Sequence, residues 1–241
     1  MCGRFALSAM LTDIAEEFST HNSDGEKPRS LPVDWNIKPT QDIYIIKSDG
    51  TRKIDVVSWG LIAPWSKTGA DALRSQSQAI NARFESVSEK PTFKRAFQRS
   101  RCLIPASGYY EWATELGRYK TKQPIYISRF DSQLLAFSGI YDSWISPEGV
   151  LRKSAAIITR PAVGELATVH DRMPLFLPRD RWDEWLDPDN NKIEELRSLM
   201  EIEIPDAGLR FWPVRPLVNS IKNNGVELIE PVELGEPETL F

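Results

Sequence analysis

The chain has 241 residues, 30 of them basic and 34 acidic, for a net charge of −4, with 41% hydrophobic residues and eight tryptophans. This suits a globular fold with a sizeable core and argues against nucleic-acid binding driven by bulk positive charge. No apolar run approaches the roughly 20 residues of a membrane span, MCGRFALSAM is no signal peptide, and Cys2 and Cys102 make neither a disulfide framework nor a metal pair. The expectation is a single domain over residues 1–241, monomeric and without a metal or cofactor, in a reducing cytoplasm. An acidic tail is expected from about residue 226, where acidic residues recur without a basic one.

The chain begins Met1-Cys2-Gly3-Arg4. Removal of Met1 would leave an α-amine and a thiol on one residue, with reference pKa values of roughly 8 and about 8.5. An aldehyde meeting this pair forms an imine with the amine. The thiol then closes on the imine carbon to give a thiazolidine, a ring closure favoured by its intramolecularity. Position alone leaves open that Cys2 is an ordinary residue at a frayed terminus.

Residues 8–19 read as a helix with Ser8 as N-cap and Leu11, Ile14, Ala15 and Phe18 on one face. A polar loop from Thr20 to Arg29 holds His21, read as a surface residue. Asp42 to Lys47 and Lys53 to Trp59 form a hairpin around Ser48-Asp49-Gly50. Trp59 suits the core and Trp65 a loop tip, and residues 66–78 read as a polar loop. Ala79 to Glu85 alternates only weakly. Pro91 starts a helix with Phe93, Ala96 and Phe97 inward. Lys90, Lys94, Arg95, Arg99 and Arg101 form either a basic face or an ordinary solvated one. Cys102 reads as a small buried hydrophobe.

Ser107-Gly108-Tyr109-Tyr110-Glu111-Trp112 is an aromatic strand with one carboxylate. Glu111 is either an outward-facing strand residue or a desolvated acid with a raised pKa. Strands follow at about 124–129, 134–141 and 151–159, then His170 in a loop, helices at 180–186 and 191–200, and a strand from Leu209 to Val214. The pattern implies an α+β fold, a single strand-rich domain with a curved, barrel-like and mainly antiparallel sheet and peripheral helices.

Several segments in order resemble the SOS response-associated peptidase (SRAP) family of abasic site processing proteins. They are Cys2-Gly3-Arg4-Phe5, Asn36-x-x-Pro39, Trp59-Gly60-Leu61-Ile62-x-x-Trp65 and Asn81-Ala82-Arg83-Phe84-Glu85, then Arg101-Cys102-Leu103-Ile104-Pro105-Ala106, Gly108-Tyr109-Tyr110-Glu111-Trp112, His170-x-Arg172-Met173-Pro174 and Val218-Asn219. One departure is Pro64, where Ala63 holds the more usual proline position. The resemblance implies covalent capture of abasic sites in single-stranded DNA through Cys2. By the same resemblance Glu111 is the acid/base, His170 assists ring opening and bond exchange, and Asn81 orients the terminus and the sugar. Arg4 and Arg83 resemble phosphate clamps, Trp65 and Trp112 stacking or wedge residues, and Asn36 and Pro39 further parts of the DNA surface. An N-terminal cysteine protease acting mainly on itself and a non-catalytic single-strand-binding module are the competing functions. Cys2, Glu111 and His170 would also serve acyl transfer, and a basic stretch with tryptophans would serve single-strand binding.

Overall fold

A computed structural model describes residues 2–23, 27–113, 120 and 122–233. Twelve strands and five α-helices are present among the described residues. The strands are β1 (Arg4–Leu7), β2 (Asp34–Ile37), β3 (Asp42–Ser48), β4 (Arg52–Trp59), β5 (Asn81–Arg83), β6 (Arg101–Ala106), β7 (Gly108–Ala113), β8 (Gln123–Arg129), β9 (Leu135–Ile145), β10 (Leu151–Pro161), β11 (Arg172–Pro174) and β12 (Leu209–Pro213). The helices are α1 (Leu11–Glu17), α2 (Gly69–Gln78), α3 (Pro91–Arg99), α4 (Trp182–Leu186) and α5 (Ile193–Leu199).

Five strands close on themselves. Strand β10 pairs in parallel with β4, and β4, β3, β6 and β9 follow by antiparallel pairings until β9 returns to β10. The short strands β5 and β11 add to β10. The other strands make an antiparallel sheet in the order β12-β8-β7-β1-β2. This is the strand-rich, barrel-containing α+β fold expected from the sequence.

Period-two alternation explains how the five-stranded sheet serves two cores. Phe5, Tyr109, Ile125 and Ile127 face the barrel and join the main core. There Phe5 packs edge-on against Trp59 at 5.1 Å and Phe137 at 5.8 Å. Ala6, Tyr110 and Tyr126 face the other way and are covered by Val214, Val218 and Leu228. The start of the acidic C-terminal segment is thus built into the fold. Leu228 is buried, the Trp212 indole donates to the Ile229 carbonyl (2.7 Å), and Val214 bridges Pro231. Residues 234–241 lie outside the described residues.

Three expectations change. Helix α1 starts at Leu11, not Ser8, because the Asp13 carboxylate accepts the Met10 N–H (3.2 Å) while the Ser8 hydroxyl pairs with that of Ser107 (3.0 Å). The 66–78 segment contains helix α2, whose polar sequence hid a cap: the Thr68 hydroxyl accepts the Asp71 N–H at 3.0 Å. Arg101 belongs to no basic face. It is buried, and its guanidinium donates to the carbonyls of Phe97, Gln98, Trp185, Asp187 and Asn190. Lys90, Lys94, Arg95 and Arg99 are exposed.

Candidate functional site

Strand register brings the first residues of the chain to the middle of β7. Arg4 lies opposite Tyr110 and Phe5 opposite Tyr109. Continued one residue back, this antiparallel register sets Gly3 beside Glu111, with Cys2 next to it. Cys2 is buried, and the Asn81 side-chain amide donates to its carbonyl oxygen at 2.7 Å. Asn81 stands opposite Ile157 of β10, Ala82 is turned into the core, and Arg83 is exposed one strand period further on. The same C-terminal part of β10 also pairs with β11, and the connection between them carries His170. Strand β10 therefore positions two of the four groups, through its partner β5 and the connection to β11, and the β1–β7 pair the other two.

Glu111 is only 3% exposed, and His170 Nε2 lies 3.9 Å from its Oε2. Burial pushes the Glu111 carboxyl up to about 7, so it exchanges protons near neutrality. Burial, reinforced by the Glu111 carboxylate, holds the Cys2 thiol well above its ordinary range. Cys2 is thus a thiol at neutral pH, and reaction at sulfur needs a nearby base. Burial also lowers the His170 pKa, favouring the neutral imidazole that can be that base.

Tyr109 is a member of this group that the sequence reading placed only on a strand. It precedes Glu111 by one strand period, so both project to the same face. It is buried, and its phenol is held in the protonated form by burial and by the nearby Glu111 charge. Period-two spacing from Glu111 was the available signal. Arg172 orders the approach from the other side. Its guanidinium binds both oxygens of Glu85 (2.5 and 3.0 Å) and the Thr159 carbonyl (2.6 Å), fastening the His170 loop to the segment that follows Arg83.

The remaining expected site residues divide in two. Arg4 Nη1 donates to Asn36 Oδ1 (2.6 Å) and the Val218 carbonyl (2.9 Å). The Asn36 amide donates in turn to the carbonyls of Ser220 (3.0 Å) and Asn223 (2.8 Å). The half-buried Trp112 indole donates to Asn219 Oδ1 (2.7 Å). These three side chains hold the 216–223 turn against the second core, and half-buried Pro39 lies in the turn after β2. Trp65 and Arg83 are turned to solvent, with Trp65 56% exposed on a loop fastened by a hydrogen bond from the Trp144 indole to the Ser66 carbonyl (2.9 Å). Among the described residues no three His, Cys, Asp or Glu side chains converge as metal ligands do. No helix there is long and apolar enough to cross a membrane.

The family model for SOS response associated peptidase (SRAP) matches residues 1–221. The chain belongs to the SRAP family. It is 39% identical over 233 residues to the abasic site processing protein YoqW of Bacillus subtilis, covering 95% of this chain and 99% of that one. It is 31% identical to the rat abasic site processing protein HMCES, over 76% of this chain and 58% of that protein. A crystal structure of a Bacteroides thetaiotaomicron protein shares the SRAP fold seen here, with a TM-score of 0.83 at 24% identity, covering 96% of this chain and all of that one.

Proposed function

We propose that this chain processes abasic sites in DNA by forming a covalent thiazolidine through Cys2 once Met1 has been removed. The observation that carries the reading is the convergence of Asn81, Glu111 and His170 on a buried N-terminal cysteine. Names of relatives that describe abasic site processing support the same reading.

An opened abasic deoxyribose presents an aldehyde at C1′. The Cys2 amine attacks that carbon, and loss of water gives an imine. The thiol sulfur then bonds to the same carbon while the thiol proton passes to the imine nitrogen. The sum is aldehyde plus aminothiol giving thiazolidine plus water, with no redox change. Glu111, titrating near 7, takes a proton from the ammonium and returns one to the departing hydroxyl. His170, favoured neutral, accepts the thiol proton and assists ring opening. Asn81 fixes the Cys2 carbonyl and so the direction of the terminus. Arg83 and Trp65, both exposed, offer a phosphate partner and a stacking surface, as single-strand binding requires. Arg4 keeps only part of its donor set for phosphate, and Asn36 and Trp112 act on DNA through the turn they hold. The same thiol, imidazole and carboxylate could release Met1 from its own chain, which would join the peptidase reading to this one as a maturation step.

Intact-mass spectrometry before and after mixing with an abasic single-stranded oligonucleotide tests this. The expected result is loss of Met1 followed by one adduct equal to the oligonucleotide minus water. Cys2→Ser keeps the amine and loses the sulfur, so its adduct should survive a denaturing gel only after borohydride reduction. An equally resistant adduct without reduction would exclude the thiazolidine.

A further inference from the structure

The imidazole of His170 has two partners competing for one nitrogen. Nδ1 lies 2.7 Å from Asp171 Oδ1 and 3.0 Å from the backbone N–H of Arg172. A carboxylate requires a proton on Nδ1, whereas an N–H donor requires a lone pair there, so one ring state cannot satisfy both. The choice decides the chemistry at Nε2, which faces Glu111 at 3.9 Å, one small approach from a hydrogen bond.

We propose that Asp171 is a positioning residue for His170, holding the proton on Nδ1 so that Nε2 is the basic atom turned toward Glu111. The exchange then balances within the pair. The proton leaves Glu111 Oε2 for His170 Nε2, Nδ1–H keeps its bond to Asp171, and the imidazolium lies between two carboxylates. With Nδ1 given instead to the Arg172 N–H, Nε2 carries the proton and can accept none from Glu111. This is the orienting role that a carboxylate plays behind a catalytic imidazole. Asp171 is 82% exposed, so solvent screens its pull on the charge, but tautomer choice depends on the short contact itself. The other charged groups acting on His170 are Glu111 from β7, Arg172 beside it and the chain's terminal amine.

The inference rests on His170 and Glu111 acting as a pair, but its test needs neither DNA nor a freed terminus. The chain has two histidines, and exposed His21 is an internal reference. In protein labelled with 15N-histidine, imidazole NMR should show His170 as the Nδ1–H tautomer when neutral. Asp171→Ala should move the proton to Nε2 and lower the His170 pKa by about half a unit, as expected for losing a screened ion pair. Asp171→Asn keeps a neutral acceptor, so it should retain the tautomer and show only the lower pKa. A wild-type His170 in the Nε2–H form, or an Asp171→Ala protein with unchanged tautomer whatever its pKa, overturns the proposal. Failure to crosslink abasic DNA with this NMR result intact would count against the proposed function alone.

Discussion

A carboxyl pushed up to about 7 has a thermodynamic signature independent of any reaction. Between its ordinary value of 4.5 and about 7, folded Glu111 binds more protons than the unfolded chain does. Its contribution therefore turns unfavourable as pH rises through that window and is fully unfavourable above about 7. Glu111→Gln, which stays neutral, should match wild type near pH 4.5 and be more stable at pH 8 by on the order of 2–3 kcal/mol. Thermal unfolding of both proteins at the two pH values measures this, and an advantage over wild type no larger at pH 8 than at pH 4.5 would contradict a desolvated acid. The same substitution should slow adduct formation at least tenfold, which crosslinking time courses would report. At this scale the sequence was partly legible. Cys2 and Glu111 each offered a chemical reading beside a plain one, as an ordinary terminal residue and an outward-facing strand residue, whereas His170 on its own read as a loop residue. Asn81 had no chemical reading until the resemblance supplied one, because a carboxamide bound to a backbone carbonyl 79 positions away leaves no local trace.

Among the elements, the ends of α3 and α4 depend on one buried guanidinium. Helix C-termini leave carbonyls unpaired and carry partial negative charge. Arg101 meets the last-turn carbonyls of α3 and the end of α4 together, while its cation lies 5.8 Å from the Trp185 ring. Burial lowers its pKa to about 10, still far above neutrality. Lysine can donate three hydrogen bonds from one nitrogen and cannot span these carbonyls. Arg101→Lys should cost about 2–4 kcal/mol, measured by urea unfolding. An unchanged midpoint would show that water replaces the lost bonds. Elements with strong periodicity, such as α3 and the β3–β4 hairpin, were legible within a residue or two. Helix α2 was not, because its buried face is only Ala72 and Gln76. It is held where Gly60, at φ +114°, lets the Gln76 carbonyl approach the preceding strand's end more closely than any Cβ would allow.

For the whole molecule, the acidic net charge means that any attraction to DNA must come from local placement of cations. Arg83→Ala should weaken single-strand binding and flatten its dependence on salt by about one unit of log–log slope. Fluorescence anisotropy from low to physiological salt tests this, and an unchanged slope would remove Arg83 from the phosphate contacts. Barrel closure was legible only as strand content and curvature. The parallel β10–β4 pair and the β9–β10 return join residues far apart, and no local periodicity records such partners. The same non-local wiring bears on how the protein is made. Strand β1 leaves the ribosome early, yet its partner β7 follows about a hundred residues later, some 5–20 s at ordinary elongation rates. Throughout that interval Cys2 has no β7 to shelter against. A terminus freed of Met1 by another enzyme in that interval would be an open trap for any small aldehyde in the cell, whereas release of Met1 by the folded site itself would keep the aminothiol masked until the sheet that makes it selective is complete.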